Sequence, residues 1–441
     1  MRRGRSAETA RATAAPWCSV LSARPRVSAL APFSVRSFRF QWPADLATSW
    51  AFEMETLILG WYVLVETQSV LLLTVFASLQ HVGTLIAPMF GVAGDRIGHR
   101  NLLCAMRAVY AALATTLMTF AFMGVLTPVH VLIIAALMGL VRPSDIGMRA
   151  ALVGDTMPSV QLMGAMSIQR TTQDSAKIAG ALTGAGLFAA VGMGPAYLAV
   201  ASLYVTSVLL TLKAGSARAA RAPPADTAGV TARPSPWRDL REGLSYVWRT
   251  PHLRAVMCLA FLLNLTAFPL MNGLLPYVAK QIYQTDQTGL SYMVAAVASG
   301  ALMTSIALSR FGSAFRPARA TILGCVLWYS LLLVFAQVQY HVAGICVLIL
   351  VGCAHSLSQI PMAAMLLRTS DEQFRGRVMG IRMLAIYGNI PGLLISGPLI
   401  SLLGYPITAT LYCAAGLTFT SLIVMRWRGH LWRRDAPANT R

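Results

Sequence analysis

Residues 91–100 read GVAGDRIGHR, a short charged segment between two apolar stretches, 71–92 and 101–123. Each stretch is about as long as the 20 or so apolar residues that a helix needs to cross the hydrocarbon core of a bilayer. The pattern therefore predicts two membrane helices joined by a tight, charged turn.

Five residues of this turn have readable roles. Gly98 permits the tight turn, and Gly91 allows a neighbouring helix to approach closely. Asp95 can sit against the positive N-terminal end of a helix. Arg96 and Arg100 can hold acidic side chains or lipid phosphate. We expect the segment to link helix ends at one face of the membrane.

The same alternation of apolar stretch and short polar turn continues along the chain. Mean hydropathy is +0.61 and only 12% of residues are charged, against about 25% in soluble domains, which excludes an ordinary soluble protein. The pattern predicts an all-α integral membrane protein with twelve transmembrane helices. The predicted spans are 44–65, 71–92, 101–123, 128–148, 161–190, 194–213, 254–278, 288–309, 318–337, 341–366, 377–401 and 405–426.

The distribution of charge orients these spans. The chain has 36 Lys and Arg residues and a net charge of +20. With the N-terminus in the cytoplasm, all of them except Lys280 fall in or nearest to cytoplasmic segments, as the positive-inside rule requires. This predicts cytoplasmic termini, an inner or plasma membrane location and contact with an anionic cytoplasmic leaflet. It also explains the basic composition without nucleic acid.

A polar break at 214–253 divides the chain into two six-helix halves, 41–213 and 254–427. Within this linker, 237–249 has the periodicity of an amphipathic surface helix. The Arg-rich segment 1–40 is predicted to be a disordered cytoplasmic tail. It also resembles a transit peptide, and a translation start placed too far upstream stays open. Residues 428–441 form the second predicted tail.

The turn Gly91–Arg100 resembles the G-x-x-x-D-R-x-G-R-R signature of the major facilitator superfamily, with His99 where Arg is usual. Arg149–Pro158 and Asp371–Gly380 resemble segments of its exporter-like branch, which includes siderophore, macrolide and drug exporters. The resemblance covers roughly residues 38–425. It implies the twelve-helix fold, a monomer without cofactor, a small-molecule substrate, and a turn that latches the cytoplasmic gate.

Span 5 departs from that branch. Gly180-Ala181-Leu-Thr-Gly184-Ala185 stands where related exporters often carry G-P-x-x-G-G. Small residues at this spacing still allow close helix packing, but the missing proline weakens the inference of an antiporter.

Two acids near the middle of span 1, Glu53 and Glu55, are candidates for proton coupling, because an ionisable group within a span is a functional hypothesis by default. They are two residues apart, about 200° around a helix, so both cannot face one cavity. A polar stripe that includes Ser49 and Thr56 favours Glu53, whereas comparison with related transporters favours Glu55. A glutamate that only hydrogen-bonds a neighbouring helix is the alternative.

Asp174 and Lys177 lie three residues apart on span 5, with Arg170 one turn earlier. They are interpreted either as a structural salt bridge or as a site for substrate or coupling. Lys177 is expected to be the base placed deepest in the membrane, about 24 Å of apolar helix from the far end of its span.

Polar and aromatic residues of the second half indicate a central cavity. Span 7 carries Asn264, Phe268 and Asn272 at four-residue spacing in a helix interrupted by prolines, and span 10 carries His355 and Gln359. Broken helices near the midplane are where transporters bind and move. The mixture of polar, apolar and Met residues suits amphipathic solutes.

Motifs for enzymatic chemistry are absent from the sequence. It has no Gly-Lys-[Ser/Thr] for ATP and no H-E-x-x-H, and its seven cysteines include no C-x-x-C. We therefore expect no catalytic residue, cofactor or metal site. Three hypotheses remain: a proton-coupled exporter of small amphipathic molecules, an importer or facilitator of a metabolite, and a non-transporting membrane sensor or scaffold.

Overall fold

The computed structural model of the chain describes residues 31–215, 236–311, 316–370 and 374–433, and every regular element within them is helical. Helices suit a membrane because they satisfy their own backbone hydrogen bonds. The helices of the first half are α1 (Arg36–Thr67), α2 (Val70–Leu79), α3 (Ala87–Ile97), α4 (His99–Phe122), α5 (Pro128–Thr156), α6 (Ser159–Val191) and α7 (Met193–Lys213).

The second part of the chain begins with a helix in the predicted linker, α8 (Pro236–Arg249). The helices that follow are α9 (Pro251–Phe268), α10 (Leu275–Tyr277), α11 (Gln287–Phe311), α12 (Pro317–Gln337), α13 (His341–Thr369), α14 (Arg375–Leu384), α15 (Asn389–Leu403) and α16 (Tyr405–Arg433). Single π-helical turns, Pro269–Gly273 and Val278–Ile282, flank α10. This confirms the predicted interruption of span 7, which has prolines at 269 and 276.

Within the described ranges, nine helices are long and apolar enough to cross a membrane by length and composition. The other three predicted spans fall short for visible reasons. α1 carries several acids, α6 carries Arg170, Asp174 and Lys177, and the second span breaks between α2 and α3. The count of twelve stays a prediction for these three. Two of them, α1 and α6, carry the acidic candidates Glu53, Glu55 and Asp174.

The two halves pack against each other through α6 with α11 and through α2 with α15. The second contact is close, since a Cβ at Gly397 of α15 would lie 2.5 Å from Thr74 Oγ1 of α2. Asn389 Nδ2 of α15 and His81 Nε2, two residues beyond the end of α2, add a contact of 3.1 Å between the halves. Thr74 and Gly397 lie toward the short-loop end of the bundle, which carries the connections 68–69, 192 and 404.

The opposite end, which we name the basic end, carries the turn at Gly98, the linker helix α8 and the start of α1. There, Tyr246 of α8 stacks on Phe374 with ring centroids 4.4 Å apart. The predicted amphipathic helix is thus present and packed against the second half. The predicted loops 216–235, and the tails 1–30 and 434–441, lie outside the described residues.

The first helix begins earlier than predicted. α1 starts at Arg36, and Phe38 is fully buried, in edge-to-face contact with Phe33 at 5.2 Å. Residues 36–40 therefore belong to the helix and not to the predicted tail, because their aromatic side chains pack on the bundle. The other domain boundaries stay predictions.

Candidate functional site

Glu55 lies buried in the first half, with only 5% of its surface exposed. Tyr204 of α7 donates a hydrogen bond to its Oε2 at 2.9 Å, and Tyr197 donates to Oε1 at 3.4 Å. These tyrosines are seven residues apart, two helical turns, so they share one face of α7. A carboxyl group held by two phenols can keep its contacts with or without a proton, because a phenol both donates and accepts.

A small cavity of about 20 Å³ adjoins Glu55, enough for about one water. Arg142 of α5 also lines it and donates to Gln80 Oε1 at 2.5 Å and to Thr56 Oγ1 at 3.0 Å. Its guanidinium stacks 4.5 Å above the Phe52 ring. Glu55 and Arg142 both line this cavity, so acid and base share one site.

Glu53 points elsewhere. It is half-buried and packs on α6, where a Cβ at Gly180 would lie 2.7 Å from Glu53 Cβ. The prediction that the two glutamates cannot face one cavity is consistent with this arrangement. The sequence pattern of α1 did not decide whether Glu53 or Glu55 is the proton-coupling residue. In the structure, hydroxyl donors and an arginine surround Glu55.

A buried ion network at the basic end of the first half was missed by the sequence analysis. Arg107 of α4 pairs with Asp45 of α1, and Gln169 of α6 donates to the second Asp45 oxygen at 2.8 Å. Arg149 of α5 pairs with Asp145 and donates to the Asp45 carbonyl at 3.2 Å. The network joins α1, α4, α5 and α6.

This network corrects one expectation. Arg107 and Arg149 are buried within the bundle, although the charge pattern of the sequence predicts only an orienting role for them. Arg149 reaches Asp45 because α5 continues to Thr156, beyond the predicted end at 148, and carries its charges into contact with α1. Lys177 is exposed, and its expected position as the deepest base stays a prediction.

The salt bridge predicted on span 5 forms with a different partner. Asp174 Oδ2 lies 3.3 Å from Arg170 Nε, one turn earlier on α6. Arg170 and Lys177 are both exposed on α6, the helix that packs against α11 of the other half.

In the second half, the structure brings Phe268 and His355 together and adds Trp328. The Phe268 ring contacts Trp328 edge-to-face at 5.2 Å and His355 at 5.4 Å, and the rings of Trp328 and His355 are 4.8 Å apart. His355 Nδ1 is buried and has no hydrogen-bond partner among the described residues. This aromatic cluster (Phe268, Trp328 and His355) forms a wall of the second half.

The other predicted polar residues of the second half do not share one site. Asn264 donates within its own helix, to the Ala260 carbonyl at 2.9 Å, and Asn272 is exposed. Gln359 accepts a hydrogen bond of 3.0 Å from Arg382 of α14. Arg382 was not predicted, because it lies near the start of the predicted span 377–401 and was counted among the basic residues nearest to the cytoplasm.

The predicted gating turn is tight at Gly98, whose φ of +93° favours glycine. His99 Nδ1 lies 2.6 Å from Asp155 Oδ2 at the end of α5, so two segments singled out in the sequence meet. Arg96 is exposed. Arg100 is half-buried.

The predictions for Gly91 and Asp95 of this turn have different outcomes. The expected close approach of a helix at Gly91 is wrong, since a Cβ there would meet nothing within 4 Å. The Asp95 side chain lies outside the described side chains, so its predicted role stays a prediction. No group of three or more potential metal ligands occurs among the residues that the structure describes.

Comparison with known proteins relates this chain to one family. A sequence model of the Major Facilitator Superfamily matches residues 43–396. No curated protein is similar enough in sequence to count as a relative.

Solved structures with the same fold cover most of the chain. The nucleoside transporter NupG is 13% identical, with a TM-score of 0.66 over 88% of this chain and 98% of that chain. A POT family transporter in complex with 5-aminolevulinic acid is 12% identical, with a TM-score of 0.68 over 90% and 97%. The human organic anion transporter MFSD10 is 16% identical, with a TM-score of 0.63 over 88% and 99%. At these identities the likeness shows the fold alone.

Proposed function

The chain belongs to the Major Facilitator Superfamily, and from this premise we propose that it couples the export of a small amphipathic molecule to proton movement through Glu55. That it is a multi-pass membrane transporter and not an enzyme follows from the family. The hypothesis of a non-transporting sensor or scaffold loses its support. Coupling, direction and substrate are the proposal.

One observation carries the coupling: Glu55 is buried and held by two phenols beside Arg142. A buried carboxylate costs free energy unless it is paired or neutralised. A proton on Glu55 would neutralise the carboxylate, and a closer approach of Arg142 would pair it with a positive charge. Exchange between these two arrangements is a means by which proton binding can bias one conformation over another.

Alternating access requires the halves to separate at one end at a time. Close contact between α2 and α15 toward the short-loop end, together with exposed Arg170 and Lys177 on α6, supports a conformation open at the basic end. With the predicted cytoplasmic termini, that end faces the cytoplasm of the inner or plasma membrane. The gating turn, with the His99–Asp155 contact, lies at the same end.

The test uses inverted membrane vesicles and three fluorescent amphipathic dyes: one anionic, one neutral and one cationic. With one proton exchanged, a gradient of one pH unit supports about tenfold accumulation, since 1.4 kcal/mol is a factor of ten. We expect Glu55→Gln to reduce this accumulation to about onefold while dye exchange without a gradient persists. Glu53→Gln is the matched control and should accumulate dye normally. Gradient-driven accumulation by Glu55→Gln would refute the assignment.

The importer or facilitator remains a second candidate, because α6 runs unbroken through Gly180 and Gly184, without the proline of related exporters. The same vesicles decide between the two. A wild-type protein that exchanges dye but never accumulates it against a gradient is a facilitator, and accumulation only with the opposite gradient indicates import.

A further inference from the structure

Two arginines and one tryptophan meet where α9 begins and α16 ends, at the basic end of the second half. The guanidinium groups of Arg254 and Arg426 both lie over the Trp427 ring, at 5.3 and 5.9 Å from its centroid. Two like charges that share one ring repel each other unless an anion lies near them. We name Arg254, Arg426 and Trp427 the arginine–tryptophan cluster.

The positive charges of this cluster have no counter-charge among the described residues. Neither arginine forms an ion pair within the ranges that the structure describes. Arg254 Nε is buried and has no hydrogen-bond partner there. Arg254 also stands in the first turn of α9, where the positive end of the helix dipole disfavours a cation. A bound anion would reduce the repulsion and could accept hydrogen bonds from both guanidinium groups.

The surface next to the cluster is apolar and not covered by protein. Phe261 follows Arg254 by two turns and therefore lies on the same face of α9, where it is 44% exposed. Leu422 precedes Arg426 by about one turn of α16 and is 49% exposed. Both side chains lie toward the centre of the predicted spans. A molecule bound here would meet cations at the end of the bundle and apolar side chains deeper in the membrane.

The linker helix indicates that this corner of the protein lies at the membrane interface. Leu244 and Trp248 are one turn apart on α8, and both are exposed. Arg241 and Arg249 of the same helix are also exposed. Such a combination of apolar and basic side chains is typical of a helix that lies in the interface, and tryptophan is enriched there. Since α8 packs against α9, the cluster at the start of α9 lies near the level of the lipid headgroups.

We propose that the arginine–tryptophan cluster binds the phosphate of an anionic phospholipid, with an acyl chain along Phe261 and Leu422. Guanidinium groups suit phosphate because they present several donors in a planar fork. With the predicted orientation, the anionic cytoplasmic leaflet supplies the lipid. The bound headgroup would hold the end of α16 against the start of α9. This site lies in the half that does not contain Glu55, and the proposal does not depend on proton coupling there.

Native mass spectrometry of the full chain tests the proposal. The purified protein is equilibrated in detergent with equal amounts of phosphatidylglycerol and phosphatidylcholine, and the lipids that stay bound are counted. Both lipids carry a phosphate, but only phosphatidylglycerol has a net negative charge. We expect it to be retained at least about tenfold more often, because two basic residues contact the headgroup. Equal retention of the two lipids would overturn the proposal.

Variants locate the site. Arg254→Gln and Arg426→Gln should each reduce the preference for phosphatidylglycerol about fivefold, which is the contribution of one basic residue at an anionic surface. Arg254→Lys keeps the charge and should retain most of the preference, which separates loss of charge from loss of folding. Lys213→Gln, which removes an exposed base at the end of α7, is the matched control. An equal loss in Lys213→Gln would mean that only overall charge matters, and the proposed site would be wrong.

Inorganic phosphate distinguishes a lipid from a free anion. It offers the same oxygens to the arginines but has no acyl chain to lie along Phe261 and Leu422. We therefore expect added phosphate to leave phosphatidylglycerol bound to the wild-type protein. Displacement of the lipid by phosphate would show that the cluster is a site for free anions and would reject the lipid as its ligand.

Discussion

Replacing Arg107 with methionine tests the buried ion network of the first half. Arg107 is 0% exposed on α4 and pairs with Asp45 on α1 while donating to Thr211 on α7. Methionine is long and flexible enough to fill much of the vacated space. The substitution therefore removes a charge from the interior while disturbing the packing as little as a side-chain exchange allows.

The expected loss in the free energy of unfolding depends on the partners that Asp45 retains in the Arg107→Met variant. Removing one partner of a buried ion pair costs about 3–5 kcal/mol, because the remaining charge stays buried without compensation. Asp45 retains Gln169 at 2.8 Å and the Arg149 Nε at 3.9 Å. We therefore expect the lower value, about 3 kcal/mol. For a cooperative unit of 150–250 residues this corresponds to a melting temperature lower by roughly 6–12 °C.

Melting is measured in detergent, by the loss of the monodisperse peak in size-exclusion chromatography after heating. Arg96→Gln is the control, since it removes an exposed arginine at the same end of the bundle. The double variant Asp45→Asn with Arg107→Met removes both charges and should recover much of the loss. If Arg107→Met melts with the control, or if the two single losses simply add in the double variant, the network does not stabilise the fold as argued.

Two further substitutions follow from the packing. Gly180→Ala should destabilise by about 1–3 kcal/mol, because its Cβ would meet Glu53 Cβ at 2.7 Å; Gly186→Ala, in open space on the same helix, should be neutral or stabilising, and equal melting of the two would contradict the close approach of α1 and α6. His99→Ala removes the 2.6 Å contact with half-exposed Asp155. It should lower the free energy of unfolding by no more than about 1 kcal/mol, as for an exposed ion pair. A large drop in melting temperature would show that this contact contributes more to stability than an exposed ion pair does.

Much of the candidate site could be predicted from the sequence. The site residues that were not predicted were missed for one reason. Glu53 and Glu55 stand out in the sequence because acids are rare in apolar spans. Choosing between them needs the packing of α1 on α7, which supplies Tyr197 and Tyr204. Arg142 was missed, because a basic residue near the end of a span has the same sequence pattern whether it faces a headgroup or a cavity.

The sequence by itself determined the fold class, the interrupted seventh span, the amphipathic linker helix and the turn at Gly98. These depend on local composition and periodicity, to which a bilayer responds directly. Only the tertiary structure decided that Arg107 and Arg149 are buried and that Lys177 is exposed. These outcomes depend on which helices become neighbours. Arg107 and Arg149 lie 62 and 104 positions from Asp45, and residues so far apart leave no periodic trace of their contact in a single sequence.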